Sequence, residues 1–199
     1  MTSPPPSPSS RTSGCILVVS GVGGADKGTL IDRLRAERPE LWWSVSWATR
    51  EPRPGELDGV HYHFVSRAEF EAEIARDGFL EWFEPYGHLK GTPKAPIAEQ
   101  IASGRDVLLE LDVQGAEAVQ REFADAARVV FVVAPSQAEQ AERLRQRGDT
   151  EAAEVEARLA QADAEYARAR AAGFTILVND DIERAFAQVV AILDAHPAG

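Results

Sequence analysis

The sequence predicts an α/β fold: a parallel β-sheet covered by helices on both faces, carrying a small β-rich subdomain. Three observations predict it. Continuous apolar runs recur at Ile16–Val19, Val107–Leu109, Val129–Val133 and Ile176–Val178, the pattern of strands buried on both faces. Helical segments separate those runs, as parallel strands require of their crossovers. Short alternating strands between Trp43 and Gly91 break that rhythm and read as an insertion.

The 199 residues suffice for one sizeable domain, and 44% are hydrophobic, enough for a packed core. The formal net charge of −11 would repel a nucleic-acid backbone, so a small anion needs a locally basic cleft. No apolar run has the length of a membrane span, and no signal-peptide core follows Met1. Cys15 is the single cysteine and opens a buried strand, which excludes an intramolecular disulfide framework. A soluble cytoplasmic protein without nucleic-acid or membrane partners, monomer or homodimer, is the expectation.

Residues 1–13 are Pro, Ser and Thr-rich and are expected to form a disordered tail, with the folded domain over 14–197. The first strand, from Cys15, runs into the glycine-rich stretch Gly21-Val22-Gly23-Gly24-Ala25-Asp26-Lys27-Gly28-Thr29. Leu30, Ile31 and Leu34 then open a helix that Arg38-Pro39 ends. Leu41–Ser46 reads as a second strand, and Trp47–Glu56 as a loop stiffened by Pro52 and Pro54. His61–Val65 alternates like a half-buried strand, with His61 and His63 on one face but no third ligand for a metal. Ser66 with Glu69 signals a capping box. Phe79–Trp82 is a strand with Leu80 and Trp82 expected in the core.

A helix over 93–103 stops at Gly104, and the strand from Val107 ends in Glu110 and Asp112. A helix over 114–123 precedes the third buried strand. Ser136 and Glu139 form another capping box, opening a helical region to Ala172 with a break at Gly148. Within it, Val155, Leu159, Ala162 and Tyr166 make one apolar stripe. After the last strand, Asp180 is expected to cap a helix that turns Ile182, Phe186, Val189 and Leu193 inward.

Strand, glycine loop, lysine and helix, in that order, are the architecture of a phosphate-binding loop. Backbone N–H groups close round the anion, the helix dipole adds positive potential and Lys27 adds a full charge. The pattern G-x-x-x-x-G-K-[ST] is imperfect here. Asp26 stands at its last glycine, and Gly28 at its hydroxyl, with Thr29 one residue late.

Ser44-Val-Ser-Trp-Ala-Thr-Arg50-x-Pro-Arg53-Pro-Gly-Glu56-x-x-Gly59-x-x-Tyr62-x-Phe64 resembles the substrate motif of the guanylate kinase family. Leu80-Glu-Trp82, Gly91-Thr92-Pro93, Leu109-Glu-Leu-Asp112-x-Gln-Gly115, Arg147-Gly148 and Val178-Asn-Asp180 are similar to its later motifs, in the family's order. The resemblance runs from about Gly14 to Leu193. It implies a phosphate-loop (P-loop) kinase fold, with a GMP-binding subdomain over about 44–92 and a lid over about 136–165. It implies transfer of the γ-phosphoryl group of ATP to GMP, giving GDP and ADP with Mg²⁺, in purine nucleotide metabolism; dGMP stays open as an acceptor.

The resemblance assigns the ATP phosphates to Gly21–Thr29, with Arg143 and Asn179 also on ATP. Lys27, Arg50, Arg147 and Arg158 are the expected catalytic cations. Arg50 and Arg53, three apart, can fork onto the dianionic phosphate of GMP, with Tyr62 as a further donor. Glu81 suits the guanine N1–H and N2 amino donors, with Ser46 and Thr92 as neighbouring hydroxyls. Asp112 is assigned either to GMP or, with Thr29, to Mg²⁺ through water. Lys90 stands where the family places a phosphate-binding tyrosine, and Trp47 where it places a small residue, expected to pack on Trp42 or Trp43. The alternative reading is a guanylate-kinase-like module that holds GMP or a phosphorylated partner with impaired transfer.

Overall fold

A computed structural model of the chain describes residues 13–84, 87–146 and 152–195. The tail up to Thr12 and the Arg147-Gly148 pair lie outside the described residues. Strand β1 (Ile16–Gly21) is the centre of the main sheet, and all its residues from Ile16 to Ser20 are buried. Among the described residues the sheet has five strands. They are β2 (Trp42–Trp43), β7 (Val107–Glu110), β1, β8 (Ala127–Val133) and β9 (Thr175–Val178), in that spatial order and all parallel. β-Branched and leucine side chains fill both faces, as a sheet covered on each side demands.

Chain order fixes which helix covers which face. The step from β1 through α1 (Lys27–Glu37) to β2 runs one way along the sheet. The step from β7 through α4 (Val113–Phe123) to β8 runs the other way. Right-handed crossovers in opposite directions place α1 and α4 on opposite faces. Helix α7 (Ile182–Asp194) packs beside α1, and α6 (Ala152–Ala171) beside α4. The reversal of direction lies at the C-terminal end of β1, where open α/β sheets keep their ligand crevice.

A second sheet holds the insertion. Its order is β4 (His63–Phe64), β3 (Trp47–Ala48), β6 (Lys90–Pro93), β5 (Phe79–Phe83), with β3–β4 parallel and the other pairs antiparallel. Helix α2 (Arg67–Ala75) opens with the expected capping box of Ser66 and Glu69. Helices α3 (Lys94–Ala102) and α5 (Gln137–Gln146) complete the elements. The insertion has its own small core of Phe70, Phe79 and Leu89, whereas Leu80 belongs to the main core.

Several expectations need correction. Leu41–Ser46 is not one strand: β2 joins the main sheet, Ser44–Ser46 cross over, and β3 begins the second sheet. Trp47, expected at the start of the stiffened loop, is instead the first residue of β3. Trp47 packs edge-on against Phe70 and Phe79, at 6.4 and 5.6 Å between ring centres, in the insertion core and not on Trp42 or Trp43. Trp82 is 48% exposed, because a bulge between Phe79 and Glu81 resets the alternation of β5. His61 precedes β4, so it shares no strand with His63; its Nδ1 accepts from the Leu57 N–H and closes a loop. Asp181, not Asp180, caps α7, accepting from the Arg184 N–H.

Trp47→Ala should remove a half-buried aromatic wedge and cost about 2–3 kcal/mol of stability. Urea denaturation would show a lower midpoint at unchanged slope. A loss below about 0.5 kcal/mol would mean the ring contributes no packing.

Candidate active site

The phosphate loop leaves β1 at Gly21, whose φ of 143° and backbone position admit no side chain: a Cβ there would stand 2.1 Å from the Val132 carbonyl oxygen. Two loop carbonyls are tied outward. Gln140 Nε2 donates to the Gly23 oxygen at 2.8 Å, and the buried Asn179 Nδ2 donates to the Ala25 oxygen at 2.9 Å. Lys27 Nζ donates to the Gly21 and Val22 oxygens at 2.6 and 3.0 Å, which holds the ammonium at the β1 end of the loop. Asp26 takes the left-handed conformation of the glycine it replaces, φ 62° and ψ 37°, and is the residue before the first turn of α1. Its carboxylate caps no N–H of that turn; instead Oδ1 accepts from Thr29 Oγ1 at 3.1 Å. The amides at the helix start are therefore not sealed by the nearest acid.

Arg143 on α5 closes this side. Its Nη2 donates to the Asn179 carbonyl at 3.0 Å and also pairs with Glu139. Its Nη1 is buried with no hydrogen-bond partner among the described residues. Gly24, Asp26, Arg143 and Gln146 surround a cavity of about 370 Å³. The sequence-predicted loop residues, Arg143 and Asn179 thus meet in one place.

The insertion contributes a second cleft. A hydroxyl relay runs from Ser46 Oγ to Thr92 Oγ1 (3.3 Å) and from Thr92 Oγ1 to Glu81 Oε1 (2.7 Å). The bulge in β5 turns Leu80 and Glu81 toward α4, so Glu81 lies beside Gly115, where a Cβ would stand 3.1 Å from its Cγ. Burial pushes the Glu81 carboxyl above the ordinary glutamate range; the Thr92 hydroxyl opposes that shift, and the nearby Asp112 carboxylate adds to it. Asp112 is itself exposed at the start of α4, its Oδ1 accepting from the Gly115 N–H at 2.7 Å. Glu81 and Arg168 are near enough to feel its charge, and Arg168 grips Glu117 with both forks at 2.7 and 2.5 Å.

Cations gather at the other end of this cleft. Arg50 is bidentate on Glu56, at 2.6 and 2.7 Å, with its guanidinium over the rings of Tyr62 and Phe64. Arg50 holds the Glu56 carboxyl down at about 2, helped by the Arg53 N–H. Lys90 Nζ lies 5.0 Å from the Tyr62 ring centre. Tyr62 and Lys90 line two adjoining cavities of about 350 and 560 Å³, the first also lined by Ser46 and Glu110, the second by Arg50 and the exposed Arg53. Arg158 is half-buried on α6. Arg147 lies outside the described residues.

Sequence reasoning gives Glu56 no role, although the spacing of three through Arg50, Arg53 and Glu56 carries the signal for its pairing. Gln140 and Arg168 carried no signal, since each acts through a partner distant in sequence. The described contacts set Asp112 on the Glu81 side of the cleft.

A phosphate loop at the switch point of a parallel sheet, beside a cleft with a half-buried carboxylate and clustered cations, defines a nucleotide-binding protein of the phosphate-loop class. A family model described as guanylate kinase matches residues 13–196. The guanylate kinase of Carboxydothermus hydrogenoformans is 43% identical over 183 residues, covering 92% of this chain and 89% of that protein. That of Thermosynechococcus vestitus is 46% identical over 184 residues, covering 92% and 93%. A crystal structure of guanylate kinase from Anaplasma phagocytophilum superposes with a TM-score of 0.68 at 29% identity, over 93% of this chain and 87% of that one. The chain belongs to the guanylate kinase family.

Since the fold favours the neutral form of Glu81, wild-type stability falls as pH rises from the ordinary glutamate range through the raised value. Glu81→Gln keeps an acceptor for Thr92 and removes that penalty. The variant should melt at a higher temperature than wild type near pH 7.5, and the gap should close towards about pH 4. A gap independent of pH would contradict the buried-carboxyl account.

Proposed function

We propose that this chain is an ATP:GMP phosphotransferase, converting GMP and ATP to GDP and ADP, and that it works in the cytoplasm, where both nucleotides are found. The observation that carries the reading is the Glu81 carboxylate, half-buried in the cleft and held by Thr92. A desolvated carboxylate accepts from adjacent N1–H and N2 amino donors together, and guanine alone among the common bases presents that pair. An adenine or pyrimidine cannot offer that pair, and would leave the carboxylate short of a donor.

The remaining roles are those the family resemblance implies, and the contacts described above support part of them. The domain spans 14–197, with the GMP-binding subdomain at about 44–92 and the lid at about 136–165. Arg50, Arg53, Tyr62 and Lys90 receive the GMP phosphate, with Glu56 keeping the Arg50 fork flat against two rings. Lys90 supplies a charge where the family pattern supplies a phenol. Ser46, Thr92 and Asp112 complete the base side. Gly21–Thr29, Arg143 and Asn179 receive ATP, and Lys27, Arg147 and Arg158 bring positive charge to the transferring group. Catalysis then consists of alignment and of cations over the equatorial oxygens, with no protein nucleophile.

Thr29 Oγ1 and Asp26 Oδ1, 3.1 Å apart at the edge of the loop, are hard oxygen donors of the kind Mg²⁺ accepts alongside its waters. When bound, Mg²⁺ would neutralise charge on the ATP phosphates. The left-handed backbone of Asp26 keeps the loop in its glycine-like shape, so its presence is no reason to expect lost transfer.

A coupled ADP-release assay with ATP, Mg²⁺ and a panel of nucleoside monophosphates tests the reading. GMP should support turnover, and AMP, CMP and UMP at least about a hundredfold less. Turnover independent of the monophosphate offered would overturn it. Glu81→Gln should raise the GMP KM about tenfold or more and leave the ATP KM nearly unchanged. Arg50→Lys should lower kcat/KM for GMP nearly as far as Arg50→Ala, since an ammonium cannot fork. Wild-type activity in the lysine variant would contradict the clamp.

A further inference from the structure

The loop contains one group that anion binding does not call for. A glycine at position 26 would supply the left-handed turn and nothing else, whereas this chain supplies the same turn and a carboxylate. The carboxylate is half-buried, engaged by Thr29 Oγ1 at 3.1 Å, and lines the cavity of about 370 Å³ together with Gly24, Arg143 and Gln146. Since it caps no backbone N–H of α1, the helix start does not absorb its charge in the usual way.

From the reading of this loop as the ATP site, we infer that Asp26 makes nucleotide binding conditional on a divalent cation. A metal-free di- or triphosphate in the loop faces a like charge a few ångströms away, well inside the range over which salt screens it. A nucleotide that arrives with a divalent cation brings positive charge to the same edge. There the Asp26 carboxylate and the Thr29 hydroxyl present oxygen to the cation directly or to its water shell. The same side chain that opposes the bare nucleotide therefore favours the metal complex. A glycine loop would lack both effects, and its preference for the metal complex would be smaller. Asp26 is thus a specificity-determining residue for the metal-bound form of the phosphoryl donor.

Isothermal titration of ADP into the full chain, in EDTA and in excess Mg²⁺, reads this directly and needs no turnover. The quantity compared is the ratio of the metal-free Kd to the Mg²⁺ Kd, in wild type, Asp26→Gly and Asp26→Asn. Both replacements accept the left-handed backbone, and a melting curve for each confirms folding. The ratio should fall about tenfold or more in both variants, chiefly because metal-free ADP binds more tightly. Ratios within about twofold across the three proteins would overturn the inference, including the case where both affinities shift together. Wild-type protein that binds ADP in neither condition would instead overturn the loop as the nucleotide site, and the inference with it.

Discussion

Everything at this site depends on how the chain leaves β1. The strand is buried between β7 and β8, and at Gly21 its backbone passes so close to Val132 that a side chain has no room. The loop must then reverse direction while turning its amides toward one point. It does so by exporting carbonyls: Gly23 to Gln140 and Ala25 to Asn179. These bonds come from α5 and from the end of β9, so the sheet's far edge and a helix distant in sequence set the shape of a nine-residue loop. In a peptide the same loop would have no such anchors, and its nest would be one conformation among many.

The insertion solves a different problem, which is to draw a carboxylate partly out of water and hold it in a cleft. A regular strand would alternate Leu80, Glu81 and Trp82 between faces. The bulge at the start of β5 aims Leu80 and Glu81 to the same side, and Gly115 leaves the space that Glu81 enters. Thr92 on the neighbouring strand then meets the carboxylate. Trp82 is left outside as the consequence.

The sequence made the sheet legible because buried parallel strands are written as unbroken apolar runs, and Ile16–Val19 and Val129–Val133 are such runs. The order of the helices followed from the same pattern. The loop was legible from Gly21, Lys27 and the helix that follows, even with Asp26 in a glycine's place. Two-residue strands such as β2, β3 and β4 leave no period to read, so the crossing from one sheet to the other at Ser44–Ser46 was invisible. The bulge was equally hidden, since its effect is on direction and not on composition. Contacts such as Gln140 with Gly23, 117 positions apart, belong to tertiary structure alone.

The split allegiance of β5 has a consequence for how this molecule comes apart. Phe79 sits in the insertion's small core and Leu80, its immediate neighbour, in the main one. β6 runs without slack into α3, with Pro93 serving as both the last strand residue and the helix's first boundary. Melting the insertion would pull Leu80 out of the main core and loosen the start of α3. Unfolding the insertion therefore costs contacts in the main core as well, which couples the stability of the two halves of the cleft.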